Sequence, residues 1–247
     1  DDPTCASHSP CIPCSTVSTD DNYCIEGPTN GSSVTLNVGG NVTNATLVFD
    51  ENPSGEQVDI SLTFTVLLGL SKGFNLISIP IELDDFLLSS DPFNGTPQDC
   101  VEKLFRYNSS LQQYQSAIRD ADFGWGSGEG LSSVEGGRGY WIKTASNCNV
   151  SLSGTESRSL TISLKEGFNL IGWYSHEPTP LENLTFTTNE TDCVVRLYQY
   201  NETISQYGVA FRDPQFGWGS SQGVNALNPG RGYWLRTDRD CTWNFEP

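Results

Sequence analysis

The sequence predicts an all-β protein: an N-terminal Cys-rich head and a strand segment, then two homologous small β-sandwich or barrel-like domains. Three observations carry this. A long ordered motif occurs twice, which marks a duplicated folding unit. Apolar residues alternate with polar ones, and no segment shows a helical period. The chain is also rich in Gly, Ser, Thr and aromatics, the mixture that sandwiches and barrels use.

Residues 1–28 form the head. Cys5, Cys11, Cys14 and Cys24 lie among Pro, Ser, Thr and Asp with no hydrophobic period. Four cysteines allow three pairings, and the sequence does not choose between them. The Cys11-Ile12-Pro13-Cys14 step also has the form of a zinc or redox site, but eight cysteines in all fit an oxidising compartment and structural disulfides.

Residues 29–66 read as strands. Val34, Leu36 and Val38 alternate with polar residues, as do Leu47 and Phe49, and Asn52-Pro53-Ser54-Gly55 is a turn signal. Val58, Ile60, Leu62, Phe64 and Val66 then alternate strictly with polar residues, so all five fall on one face that must be buried. One reading packs this strand on the first repeat. The other lends it to a neighbouring subunit as a joining strand.

The repeats occupy 67–154 and 155–247, the second opening with the link Thr155-Glu156-Ser157-Arg158. The first copy carries GFNLISIP from Gly73, FGWGSGEG from Phe123 and GRGYWIKT from Gly137. The second carries GFNLIGWY from Gly167, FGWGSSQG from Phe216 and GRGYWLRT from Gly230. The offset is 94 at the first glycines and 93 from the cysteines onward. Each copy holds two cysteines at the same spacing, so the expected bridges are Cys100–Cys148 and Cys193–Cys241. The link is too short for a flexible tether, so the two units are expected to touch.

Trp125 and Trp218 sit in Gly-rich loops. Such a tryptophan either stacks on sugars or closes a small β core, with Phe123 and Phe216 expected to pack beside it. Arg138 and Arg231 are expected to stack on an aromatic ring of their own repeat. Asp120, Asp122 and Glu129 offer oxygens to calcium in the first copy only, since the second keeps Asp213 but has Gln215 and Gln222. No other cofactor is expected.

The formal net charge of −17 disfavours nucleic acid as a partner. Nine N-x-Ser/Thr sequons begin at Asn30, Asn41, Asn44, Asn94, Asn108, Asn149, Asn183, Asn189 and Asn201. Chance gives about 4, so N-linked glycans are expected. The chain starts at Asp1 without an apolar leader, read as the end left by signal-peptide cleavage. It ends at Pro247 without a lipid or sorting signal, and no run is long and apolar enough to insert in a membrane. Only His8 and His176 are available as histidines, in unmatched positions, and no G-x-S-x-G, H-E-x-x-H or phosphate loop occurs. No catalytic residue is assigned.

The GFNLISIP-to-GRGYWI pattern resembles a module of secreted archaeal and bacterial surface proteins, over residues 67–247. Copy two departs from it at Gly172-Trp173-Tyr174. The chain is also similar in general character to glycosylated subunits of archaeal extracellular filaments. The resemblance implies an exported β module of cell surfaces and extracellular assemblies, and it carries over no catalytic residue. The expected function is therefore a non-enzymatic structural subunit of an extracellular glycosylated, pilus-like filament or of a surface layer. It would join copies of itself through its N-terminal region, at the cell surface after signal-peptide removal. The alternatives are a secreted carbohydrate-binding adhesin using Trp125 and Trp218, and a secreted hydrolase.

Overall fold

A computed structural model describes residues 33–36, 42–48, 61–83, 87–93, 100–120, 122–156, 159–175, 177–184, 193–213, 215–221 and 223–245. The head, its four cysteines, Val58, Ile60, His176, and the sequon asparagines 30, 41, 94 and 189 lie outside them. The protein is predominantly antiparallel β. Two compact units divide it, Asp1–Leu36 with Thr46–Leu62 and Asn37–Ala45 with Thr63–Pro247, and the second holds both repeats. Ahead of the repeats, β1 (Ser33–Leu36) lies where alternation predicts a strand, and β2 (Val42–Val48) begins five residues ahead of the alternation expected from Leu47 and spans the sequon at Asn44.

Repeat one begins with β3 (Ser61–Leu70), which runs unbroken through the boundary expected after Val66. The reason is that its alternation continues: Phe64, Val66, Leu68 and Leu70 are all buried. This half of the strand pairs within its own chain, from Leu70↔Cys148 to Phe64↔Gly154, with β10 (Cys148–Glu156). β10 extends into the expected link, where Thr155 and Glu156 pair with β5 (Ile81–Leu83). The main sheet holds β4 (Gly73–Ser78), β9 (Gly139–Thr144), β6 (Val101–Asn108), β7 (Gln113–Asp120) and β8 (Gly124–Ser127), in that spatial order.

Repeat two reproduces this. β11 (Leu160–Leu164) pairs with β19 (Cys241–Phe245), with Leu164↔Cys241 matching Leu70↔Cys148. Its main sheet runs β12 (Gly167–Gly172), β18 (Gly232–Thr237), β14 (Val194–Asn201), β15 (Gln206–Asp213) and β16 (Gly217–Ser221). A short pair, β13 (Thr179–Pro180) with β17 (Ala226–Leu227), completes it. Helical structure among the described residues is two single 3-10 turns, Leu88–Ser90 and Leu181–Asn183. The disulfides Cys100–Cys148 and Cys193–Cys241 form as the duplication predicts.

Most motif residues are explained by the turns they build. Gly73 and Gly167 take φ of 105° and 99°, which a side chain disfavours. The buried amide of Asn75 closes the β3–β4 turn: its Oδ1 accepts from Ser71 N (2.9 Å) and its Nδ2 donates to Ser71 O (2.8 Å). Asn169 does the same to Lys165 (2.8 and 2.7 Å). Thr144 and Thr237 donate to those same carbonyls (2.7 and 2.5 Å). The opening and closing motifs are thus two halves of one joint.

The tyrosine of GRGYW is a buried post. Tyr140 Oη accepts from Glu135 N, and Tyr233 Oη from Asn228 N, both at 2.7 Å. Burial pushes the Tyr140 phenol up from 10.0 to about 12. A raised phenol contributes stability that is complete below pH 10, where folded and unfolded phenols are both neutral. That stability is lost as pH rises toward 12, because the unfolded phenol ionises first. Stability followed by fluorescence should therefore fall between pH 10 and about 12, and Tyr140→Phe should flatten that fall.

Each cystine closes a loop with a sequence separation of 48. On the chain-entropy account this stabilises by roughly 4 kcal/mol. Cys193→Ala with Cys241→Ala should lower the unfolding free energy by about that amount in a denaturant titration.

Candidate functional site

The two repeats meet at the motif that closes each sheet. Backbone bridges join Ile77 to Arg231 and Arg138 to Ile171, a matched pair about a pseudo-two-fold axis. Ser78 N donates to Gly230 O and Gly172 N to Gly137 O, both at 3.0 Å. The chains pass so closely that side chains are excluded. A Cβ on Gly139 would lie 2.5 Å from Ile171 O, and one on Gly232 would lie 2.6 Å from Ile77 O.

This crossing explains where copy two departs from copy one. Ser78 and Gly172 occupy equivalent positions and face each other across the axis. A Cβ on Gly172 would meet Arg138 O at 2.4 Å and Ser78 Cβ at 2.5 Å, so one of the two must be glycine. Ser78 Oγ then donates to Trp173 O at 2.8 Å. The buried Tyr174 reaches into repeat one and hydrogen-bonds Glu82, lying over Gly136 where a Cβ would meet its ring at 2.4 Å.

Beside this seam the outer faces of the main sheets carry aromatic rings. In β9, Tyr140, Ile142 and Thr144 point inward, while Trp141 and Lys143 point outward. Phe105 pairs with Trp141 across the ladder, and Tyr107 with Tyr114. Phe74 meets Trp141 edge-on at 6.2 Å. Phe168, Tyr198, Tyr200, Tyr207 and Trp234 repeat the set. The sets join across the axis: Tyr107 against Trp234 at 5.0 Å and Trp141 against Tyr200 at 4.8 Å. Desolvation raises the phenols of Tyr114 and Tyr207 above their ordinary range.

Most of the large apolar side chains left exposed are matched between the copies. They are Phe74 and Phe168, Leu111 and Ile204, Tyr114 and Tyr207, Ile118 and Phe211, Phe123 and Phe216, with Leu67 and Leu87 the unmatched ones among the described residues. Cations border the same faces. Lys103 pairs with Lys143 across the ladder, and Arg196 with Arg236, although like charges placed opposite each other are destabilising. Three of the chain's four lysines, Lys72, Lys103 and Lys143, gather around Glu102. Its hydrogen bond to Lys143, and then the charges of these lysines, hold that carboxyl below its ordinary range.

The residues expected to form a site have other occupations. Trp125 Nε1 donates to Asp91 Oδ1 (2.8 Å) and its ring packs on Phe93 at 5.7 Å, while Asp91 also holds Arg119 at 2.5 Å. Trp218 packs against the core of repeat two. Phe123 and Phe216 do not pack beside them: they are 90% and 85% exposed at hairpin tips. The cause is the turn. Asp120 Oδ1 accepts from Asp122 N and Phe123 N, and Asp213 Oδ1 from Gln215 N and Phe216 N, which turns each ring outward. Arg138 and Arg231 sit on carboxylates rather than rings, Arg138 on Glu135 (3.5 Å) and Arg231 on Glu202 (3.1 Å). Among the described residues no group of three His, Cys, Asp or Glu is placed to hold a metal, so Asp120, Asp122 and Glu129 are not gathered as one. No helix of the described residues is long and apolar enough to cross a membrane.

The outer faces escaped sequence reading because their rings alternate with buried residues on the same strands. The available signal was the matching of Phe74, Tyr114 and Ile118 with Phe168, Tyr207 and Phe211 at alternating positions. No protein-family model, curated protein or solved structure matches the chain.

The seam makes a direct expectation. Gly172→Ala should cost about 1–3 kcal/mol through overpacking against Arg138 O, whereas Gly223→Ala, in open space but at positive φ, should cost less. Thermal unfolding of the two variants checks this.

Proposed function

We propose that the chain is a secreted, N-glycosylated structural subunit that assembles with copies of itself into an extracellular filament or surface layer. The observation that carries this reading is the set of matched, exposed apolar side chains on the two repeats. Contiguous exposed apolar surface marks an interaction site. Keeping it twice, while many neighbouring residues changed, argues that it is used.

Charge supports the same reading. A chain of net charge −17 repels its own copies, and the Lys72, Lys103 and Lys143 group gives an acidic neighbour somewhere to dock. The exposed Phe123 beside Asp122 has the complementary character. Contact between two different patches on identical chains generates a ring or an open helical polymer rather than a two-fold dimer. Two disulfides fit the oxidising compartment that secretion requires, and the resemblance of the repeated motif to surface-protein modules agrees. The head, residues 1–28, remains the second joining segment in this proposal.

The aromatic rings favour assembly over sugar binding. Phe74, Tyr107, Tyr114 and Trp141 meet edge-on and present no flat platform, while Trp125 already uses its indole N–H.

Sedimentation and negative-stain imaging test the proposal. The intact chain should form concentration-dependent polymers that weaken with salt. Replacing Lys72, Lys103 and Lys143 by Glu should weaken association about tenfold or more, equivalent to at least about 1.4 kcal/mol. A monomer at every concentration would contradict it.

A further inference from the structure

We propose that Asn108 and Asn201 carry N-linked glycans whose first sugars cover the apolar tips of the β6–β7 and β14–β15 hairpins. This rests on the secreted reading, because the sugar donor is met during export. The structure separates these two sequons from the rest. They stand at equivalent positions in the two repeats, whereas the places equivalent to Asn149 and Asn183 are Thr242 and Ser90.

Each asparagine builds an Asx turn. Asn108 Oδ1 accepts from Ser110 N and Leu111 N, both at 3.1 Å, and Asn201 Oδ1 accepts from Thr203 N (3.0 Å) and Ile204 N (3.3 Å). The turn by itself does not require asparagine. Asp120 and Asp213 make the same pair of bonds at the next hairpins. Nor does it require a hydroxyl two residues on, and among the described residues neither Ser110 nor Thr203 uses its hydroxyl in the fold.

Yet between the copies the loop changed from Asn-Ser-Ser to Asn-Glu-Thr. What survived is the asparagine and a hydroxyl at the third place, the pattern that glycan transfer reads. The turn uses Oδ1 and leaves Nδ2 for modification.

The neighbouring surface suits a sugar. Leu111 and Ile204, three residues on, are 64% and 60% exposed at matched positions. Beside Asn108 a shallow depression of about 550 Å³ is lined by Leu111, Gln113, Tyr114, Gln115 and Glu129. Apolar side chains, amides and a carboxylate together offer the apolar and polar contacts that a sugar ring presents.

The reaction is a substitution on a polyprenyl-linked oligosaccharide phosphate. Asn Nδ2 forms a bond to C1 of the first sugar, and the C1–O bond to phosphate breaks. The lipid phosphate leaves with the electron pair, and the amide proton passes to a carboxylate of the transferase.

Mass spectrometry of the protein collected outside its native cell tests this. Trypsin yields Tyr107–Arg119 and Leu197–Arg212, each holding one sequon. Both peptides should carry glycan mass at most molecules. Ser110→Ala and Thr203→Ala, which keep the Asn turn, should abolish it at their own peptide and increase binding of an apolar dye to the folded protein. Finding either peptide unmodified in the exported protein overturns the inference while leaving the secreted reading intact. Finding the protein only inside the cell overturns both.

Discussion

The arrangement of this protein depends on one constraint, the passage of two backbones across each other at the pseudo-two-fold axis. Bridges at Ile77–Arg231 and Arg138–Ile171 bring the sheets within hydrogen-bonding distance. No β-carbon fits at Gly139, Gly172 or Gly232. A backbone contact of this kind tolerates little sliding, because each donor on one side has a single acceptor on the other. The orientation of each main sheet follows from it, and so does the direction in which each aromatic face looks.

That constraint also explains why duplication did not stay perfect. On a symmetry axis a residue faces its own equivalent, so a side chain acceptable at one copy collides with itself when present at both. Ser78 opposite Gly172 resolves the collision. Once asymmetry existed, repeat two added contacts that have no counterpart, Trp173 receiving the Ser78 hydroxyl and Tyr174 bonding to Glu82. The two units became specific to each other. The exposed apolar side chains make none of these backbone contacts, yet they are retained as pairs, which bears on use as well as on folding.

Much of the fold was legible in the sequence, for physical reasons that can be named. Strand alternation gave the all-β class, and equal cysteine spacing gave both bridges. The strand from Ser61 was visible, but its continuation to Leu70 was hidden by the repeat boundary, since Leu67 is apolar at an exposed position where the pattern calls for a polar residue. The candidate surface was less legible. Phe123 looked like core because aromatic side chains usually are, and the outward turn is imposed by the hydrogen bond its backbone N–H donates to Asp120, which hydrophobicity does not register. Arg138 looked like a ring-stacking partner, but Glu135 three residues earlier is the nearer anion. The meaning of GRGYW was out of reach for another reason: its glycines are shaped by the other repeat, and a single chain order does not show which segments cross.

Native-state hydrogen exchange at the amides of Ser78 and Gly172 tests the central claim most directly, since both donate across the seam. If the seam unites the repeats, these amides exchange only through global unfolding, as slowly as Leu104 and Leu197 within the two sheets. Exchange at these two amides that is much faster than in the sheets, with each repeat still protected internally, would show that the repeats part while folded and would contradict the account.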